Sequence, residues 1–153
     1  MKRLAAVRIR GEVGVRATIR DTLDMLKLFN VGNCILVDDR DSYVGMLQKA
    51  KDYITYGEID SETLNKLVLK WGRLPGNGRI DEDLIKEKTD LPVDEFIESV
   101  LNFEHELSEI GIKDVFKLHP PRGGYKDTKR GFGQGGSLGY RGEEINALLK
   151  RMI

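Results

Sequence analysis

The sequence predicts a mixed α/β (α+β) protein that begins with a β-α-β-α-β unit. The first observation is the hydrophobic pattern: short apolar segments typical of strands alternate with segments whose apolar residues recur every three or four positions, as in helices. The second is the charge distribution. The 153 residues carry 25 basic and 25 acidic side chains, yet the stretch 117–141 holds six basic residues, one acidic residue and seven glycines. We therefore expect a folded core followed by a basic, glycine-rich extension.

The first half of the β-α-β-α-β unit, which we place at residues 1–59, is read from three apolar patterns. Leu4–Arg10 alternates with period two and predicts a half-buried strand. A helix follows, which Gly32 is expected to end. Its inward positions are Ile19, Leu23, Leu26 and Phe29. Cys34–Val37 is continuously apolar and predicts a buried central strand.

The unit closes with a second helix and a third strand. Ser42 can cap a short helix that runs to about Lys51. Tyr53–Tyr56 has the composition of a strand, and we expect Gly57 to end it.

A helical middle region, 60–114, and a C-terminal part, 115–153, complete the chain. The middle region predicts three helices: one capped by Asp60 or Ser61, one over 81–88, and one opening at 90–92 with the apolar stripe Phe96, Ile97, Val100, Leu101 and Leu107. The C-terminal part predicts a strand at 115–118, the basic loop, and a last helix over 143–152 that packs on the core.

Catalytic, metal and nucleotide sites find little support in the sequence. The G-x-G-x-x-G pattern at 131–136 lacks the preceding strand and following helix of a dinucleotide site. His105 has no second histidine at zinc-helix spacing, and the acidic turn at 38–41 lacks the calcium-loop ligand series. The single cysteine, Cys34, lies in an apolar run and is expected to be buried. We expect no enzyme activity, cofactor, metal or membrane span, and a cytoplasmic location.

The cationic residues predict RNA binding. A second basic cluster surrounds the first strand and consists of Arg8, Arg10, Arg16 and Arg20. Positive charge, a pliable glycine backbone and interleaved aromatic rings suit the irregular phosphate surface of folded RNA. An acidic protein partner bound through the basic loop is the alternative. For His119, before two prolines, contact with RNA and a purely structural turn are both open.

Two blocks of sequence motifs resemble a known family. Residues 8–59 contain T-L-x-x-L-x-L opening at Thr22 and a glycine–methionine pair at 45–46. Residues 116–153 contain F-K-L-x-x-P-R-G-G and G-G-x-x-G-x-R. Together they resemble the archaeal and eukaryotic type of large-subunit ribosomal protein thirty, whose eukaryotic counterpart is large-subunit protein seven.

The resemblance implies a ferredoxin-like core, no catalysis, and a structural role in cytoplasmic ribosomes. The implied partners are 23S-type ribosomal RNA, 5S ribosomal RNA and other large-subunit proteins. Physical pattern and resemblance together give these candidate RNA-binding residues: Arg8, Arg10, Arg16, Arg20, His119, Arg122, Tyr125, Lys126, Lys129, Arg130, Phe132 and Arg141. Because glycine leaves 122–141 weakly restrained, we expect this loop to be mobile in the free protein and ordered on RNA.

Overall fold

The computed structural model describes residues 2–153, which form a five-stranded sheet and six α-helices. In chain order these elements are β1 (Arg3–Arg8), α1 (Ala17–Met25), β2 (Asn33–Asp38), α2 (Asp41–Lys49), β3 (Ile54–Glu58), α3 (Ser61–Trp71), α4 (Glu82–Thr89), α5 (Val93–Leu101), β4 (Val115–Lys117), β5 (Gly139–Tyr140) and α6 (Ile145–Met152). None of these helices combines the length and the hydrophobicity that crossing a bilayer requires.

The strand order is β4-β2-β1-β3-β5, with β1 in the centre. β1 is antiparallel to both β2 and β3, β4 is antiparallel to β2, and β5 is parallel to β3. Apolar side chains from α1 and α2 cover one face of the sheet, and those from α3 to α6 cover the other. The predicted ferredoxin-like α+β core is confirmed.

β1 is covered on both faces, so the prediction of a half-buried strand is wrong. Its residues are buried throughout, because Leu4 and Ala6 face α1 and α2 while Ala5 and Val7 face the other helices. Regular pairing ends at Arg8, since the next two amides both donate to the carbonyl of Tyr53, at 2.9 and 3.1 Å. Two residues on one strand that face a single residue on the neighbouring strand form a β-bulge.

α1 ends earlier than predicted. Lys27 has a left-handed backbone with φ of 61°, and the amide of Leu28 donates to the carbonyl of Leu23 at 2.9 Å. This Schellman arrangement terminates the helix and turns Leu28 into the core. Phe29, predicted to point inward, is 45% exposed. The predicted stop at Gly32 is also wrong.

The middle region forms the three predicted helices, with Asp60 rather than Ser61 as the cap of α3: its carboxylate accepts from the amide of Thr63 at 2.8 Å. α5 ends at Leu101 because Phe103 is left-handed. Leu107 therefore lies in a separate short 3-10 turn and does not extend the α5 stripe. Buried side chains from all three predicted regions share one cluster, including Ala5, Leu64, Phe96 and Ile145.

The C-terminal part adds a strand that the sequence pattern did not predict. β5 pairs with β3, and the threonine hydroxyl of Thr55 donates to the carbonyl of Gly139 at 2.9 Å. Gly57, expected to end β3, lies inside it. The backbone of Gly142 packs where a side chain on Gly57 would stand. Residues 136–138, the part of the extension nearest β5, are buried, so this part of the extension packs on the core.

Candidate nucleic-acid interface

The strand register brings the predicted cationic segments to one end of the sheet. The carboxyl ends of β1 and β4 lie beside the amino ends of β2, β3 and β5, because Arg8 pairs with Ile54, Lys117 with Asn33, and Gly139 with Thr55. The loop after β1 leaves from this end, and the segment 118–138 starts and finishes there. We call this surface the basic end. Its exposed or half-exposed cations are Arg10, Arg16, Arg20, Lys49, Lys51, Lys117, Arg122, Lys126, Lys129 and Arg130.

The opposite end of the sheet is acidic. It collects acidic residues that end or follow β2 and β3 or precede β4 and α6, namely Asp38, Asp39, Glu58, Asp60, Asp114, Glu143 and Glu144. Two arginines lie among them and each has a carboxylate partner: Arg3 contacts Glu106 at 3.3 Å and Arg40 contacts Asp38 at 2.7 Å. The Arg40 side chain lowers the pKa of the Asp38 carboxyl through this hydrogen bond. Lys2 also lies at this end, and Glu12 and Asp52 lie at the basic end. The neutral chain is therefore polarised along the strand direction, although neither end carries charge of one sign alone.

The β1–α1 segment presents three of the predicted arginines. The Arg10 guanidinium lies 5.3 Å from the ring centre of Tyr53, a cation–π geometry that keeps the side chain at the strand end. Arg16 occupies the N-cap position of α1, and Arg20 lies one turn later, so both exposed side chains share a helix face. This arrangement can present positive charges to consecutive phosphates.

Arg8 does not share that surface. It is 2% exposed, and its guanidinium donates to the carbonyls of Leu28 at 2.7 Å, Phe29 at 3.1 Å and Arg10 at 2.8 Å. These bonds tie the end of β1 to the turn after α1. Arg8 therefore stabilises the fold, and we exclude it from the candidate RNA interface.

The extension begins with a tether to the C-terminal helix. The amide of Arg122 donates to the carbonyl of Arg151 at 3.1 Å, and the Arg151 guanidinium donates back to the carbonyls of Arg122 and Gly124 at 3.2 and 3.1 Å. Tyr125 is half-buried with its hydroxyl 4.0 Å from the sulfur of Met152. Burial raises the pKa of Tyr125. Tyr125 thus anchors the extension, while the Arg122 side chain stays exposed.

The tip of the extension holds three exposed cations. Lys126, Lys129 and Arg130 all point to solvent. Asp127 accepts from the amide of Lys129 at 2.9 Å and contacts the Arg130 guanidinium at 3.3 Å. One carboxylate therefore shapes the turn and offsets part of a charge, and the tip remains positive.

The side chain of Arg141 is buried beneath the extension, where its role is structural. It is 9% exposed; its guanidinium donates to the hydroxyl of Thr55 and the carbonyl of Ser137, both at 2.7 Å. Its charge also lies 4.9 Å from the ring centre of Phe132, which is 37% exposed. Desolvation lowers the pKa of Arg141. Arg141 therefore supports Phe132 from the protein side and leaves part of the ring accessible.

His119 lies exposed where the chain leaves β4. Its ring packs nearly perpendicular to the Trp71 ring, at an angle of 87° and with the two ring centres 4.6 Å apart. This contact places an aromatic surface beside the cations of the basic end.

Comparison with known proteins identifies the family. The model of the family described as ribosomal protein L30p/L7e matches residues 4–54. The large ribosomal subunit protein uL30 of Methanococcus maripaludis is 53% identical over 151 residues, which cover 97% of this chain and 98% of the relative. The uL30 proteins of Methanosphaera stadtmanae and Methanopyrus kandleri are 49% and 48% identical, over 97% and 95% of this chain and 99% and 100% of theirs. This chain belongs to the ribosomal protein L30p/L7e family. The resemblance inferred from the two sequence blocks is confirmed.

The L30p/L7e family model ends before the extension, whereas the full-length relatives align across it. Eight of the twelve candidate residues lie beyond residue 54. The candidate interface thus combines a segment that the family model covers with one that lies beyond it and aligns with the full-length relatives.

Three lysines of the basic end are absent from the twelve candidate residues: Lys49, Lys51 and Lys117. Lys49 ends α2 and Lys51 lies in the link between α2 and β3, and both are exposed. Their separation from the other cations in sequence concealed them. Strand pairing could have identified them. Because β1 and β3 are antiparallel neighbours, the link that leads into β3 lies beside the loop that follows β1.

Proposed function

We propose that this L30p/L7e protein is a structural component of the large ribosomal subunit that binds 23S-type ribosomal RNA through its basic end. One observation carries the proposal: cations from the β1–α1 segment and from the extension, about 100 residues apart in sequence, meet at one end of the sheet, while the other end is acidic. A polyanion is attracted to the first end and repelled by the second.

Phosphate contacts come from the exposed cations, which are Arg10, Arg16, Arg20, Arg122, Lys126, Lys129 and Arg130. Phe132 and His119 supply ring surfaces for bases or sugars. Tyr125 and Arg141 act indirectly by holding the extension in place. The same chemistry admits 5S ribosomal RNA as a second RNA neighbour. The proposed role is non-catalytic, needs no cofactor and places the protein in cytoplasmic ribosomes.

The test compares the full-length chain with Arg16→Ala/Arg20→Ala and with Lys66→Ala as a matched control. Lys66 is exposed on α3, pairs with Glu62 at 3.2 Å and lies outside the basic end. Binding to purified 23S-type and 5S ribosomal RNA and co-sedimentation with large subunits are measured. We expect the double variant to bind 23S-type RNA at least tenfold more weakly and the control to be unchanged. Equal binding by all three, or retention only by acidic proteins, would contradict the proposal.

A further inference from the structure

The edge of β2 is left open over half its length. β4 has three residues and pairs only with the first half of β2, Asn33–Ile35. The second half, 36–38, pairs with β1 on one side. Within residues 2–153, no backbone hydrogen bond reaches it from the other side. Because successive strand residues direct their amide and carbonyl groups to alternate sides, at least one residue in 36–38 presents both groups to the open side.

A groove of about 250 Å³ lies along this open edge. Its wall on one face of the sheet includes Met25, Leu26 and Tyr43, and its wall on the other face includes Arg3 and Glu106. A cavity with walls on both faces of a strand lies where the next strand of the sheet would be. Its volume is below the roughly 300–1,000 Å³ of typical small-molecule sites, which favours a peptide backbone over a metabolite.

We propose that this groove accepts an extended segment of a neighbouring protein, which adds to β2 as a strand continuing the position of β4. The backbone edge supplies hydrogen bonds, and the groove walls read alternate side chains of the segment. The partner is identified by its chemistry: an extended peptide with apolar residues on one face and an acidic residue on the other.

The apolar requirement comes from the surface around the groove. Met25 lines the groove and is 65% exposed, and Tyr43 on the same wall is half-buried. Exposed apolar groups at a groove lose water-accessible area when a side chain covers them.

The acidic requirement comes from the charges that line the groove. Both of its carboxylates already have cationic partners, Glu106 in Arg3 and Asp114 in Lys27. Lys113 is exposed and contacts only the amide oxygen of Asn77, at 3.4 Å. The charge available to a partner is therefore positive. RNA is a poor occupant, because a run of consecutive phosphates would also meet the two carboxylates that line the groove, Glu106 and Asp114.

The experiment uses large ribosomal subunits that contain the full-length chain, so it rests on the proposed function. A photoreactive benzoylphenylalanine replaces Met25, and its cross-links are identified after irradiation. In parallel, amide hydrogen exchange of 36–38 is compared between the free protein and the subunit. We expect a cross-link to an extended segment of another protein, and exchange of at least one of these amides to slow tenfold or more in the subunit.

Two variants with matched chemistry test whether the groove itself is responsible. Met25→Lys should return exchange at 36–38 in the subunit to within about threefold of the free rate. Val31→Lys, at a residue that is 51% exposed and outside the groove, should keep the protection. A cross-link to RNA, to a second copy of this chain or to nothing, or unchanged exchange at 36–38, would overturn the inference. Failure of the chain to co-sediment with subunits would overturn the proposed function first and is seen before irradiation.

Discussion

The carbonyl of Gly142 lies where a Cβ atom on Gly57 would have to be. This contact seats the start of the C-terminal helix directly on β3, so the extension and the core share one packed surface. Gly57 is buried within the strand and has no left-handed backbone, so the constraint is space and not conformation.

Gly57→Ala should therefore destabilise the protein by about 1–3 kcal/mol, the usual cost of overpacking. The matched control is Gly45→Ala, because an added Cβ at Gly45 meets nothing within 4 Å and the residue lies inside α2. The control should stabilise the fold by about 0.5–1 kcal/mol through helix propensity and a less flexible unfolded chain. Urea unfolding of both variants measures the difference, and equal effects would contradict the packing argument.

Alanine variants of Arg8 and Arg16 should separate effects on the free energy of unfolding from effects on RNA binding. Arg8→Ala removes the donor for one buried and two partly buried carbonyls. A buried carbonyl left unpaired costs roughly 1–3 kcal/mol, so the free energy of unfolding should fall by about 1–3 kcal/mol. Arg16 makes no capping hydrogen bond with its side chain, so Arg16→Ala should change stability by less than about 0.5 kcal/mol.

The same two variants should behave oppositely toward RNA. Arg16→Ala should weaken RNA binding, whereas Arg8→Ala, measured well below its unfolding temperature, should bind nearly as the parent does. Titration of labelled 23S-type RNA fragments at fixed salt provides the comparison. A large binding defect in a folded Arg8→Ala protein would return Arg8 to the interface.

These two arginines also show how far the sequence could predict the site. Both are basic residues near the end of an apolar strand, and local pattern treats them alike. What separates them is the turn at Leu28 and Phe29, whose carbonyls capture Arg8 only because Lys27 ends α1 in a left-handed conformation. The turn, residues 26–29, contains no glycine or asparagine that would have indicated it in the sequence.

In the fold as well, the elements determined by local sequence were predictable, and those determined by contacts between distant residues were not. Strands and helices with strong apolar periodicity were predicted to within a few residues, since each is determined by its own sequence. β5 has two residues, Gly139 and Tyr140, and exists only because β3 offers an unpaired edge. The meeting of distant cations at one end depends on strand order, which no local pattern specifies.

The pKa of Tyr140 predicts a stability change at high pH. Its hydroxyl donates to the Glu58 carboxylate at 2.5 Å, which raises the pKa to about 12. The raised value means that the folded state favours the neutral phenol. The contribution is therefore complete below the unfolded-state pKa of about 10 and is lost as the pH rises through about 12.

Tyr140→Phe should remove that contribution. The difference in unfolding free energy between parent and variant should be constant below about pH 10 and shrink above it. Ultraviolet titration of the folded parent should also contain one tyrosine transition near the raised value that the variant lacks. A difference that grows above pH 10 would show that the hydrogen bond to Glu58 has the opposite effect.

The salt dependence of RNA binding should report the number of phosphate contacts. With about six cations engaged, the slope of log K against log salt should be about −4 to −5. Lys126→Ala and Lys129→Ala should each make the slope less negative by about 0.7–0.9, whereas Lys66→Ala should leave it unchanged. A slope near zero for the parent would remove the electrostatic basis of the interface.

The extension should divide into an anchored part and a mobile part. The amide of Arg141 donates to the carbonyl of Tyr56 at 2.9 Å, and the neighbouring residues 136–138 are buried. In contrast, the amides of 126–128 donate no backbone hydrogen bond within residues 2–153. The amide of Phe132 donates to the carbonyl of Leu138 at 2.7 Å. We therefore restrict the predicted mobility to the tip, 126–130, and expect Arg141 to be protected in the free protein.

Hydrogen exchange with and without RNA tests this division. The amides of 126–128 should exchange at nearly unprotected rates in the free protein and slow at least tenfold in the complex, because phosphate contacts by Lys126 and Lys129 hold the tip still. The amide of Arg141 should be protected in both states, since its bond to β3 does not depend on RNA. Protection of 126–128 that is equal in both states would show a preformed tip, and fast exchange at Arg141 in the free protein would show that β5 itself needs RNA.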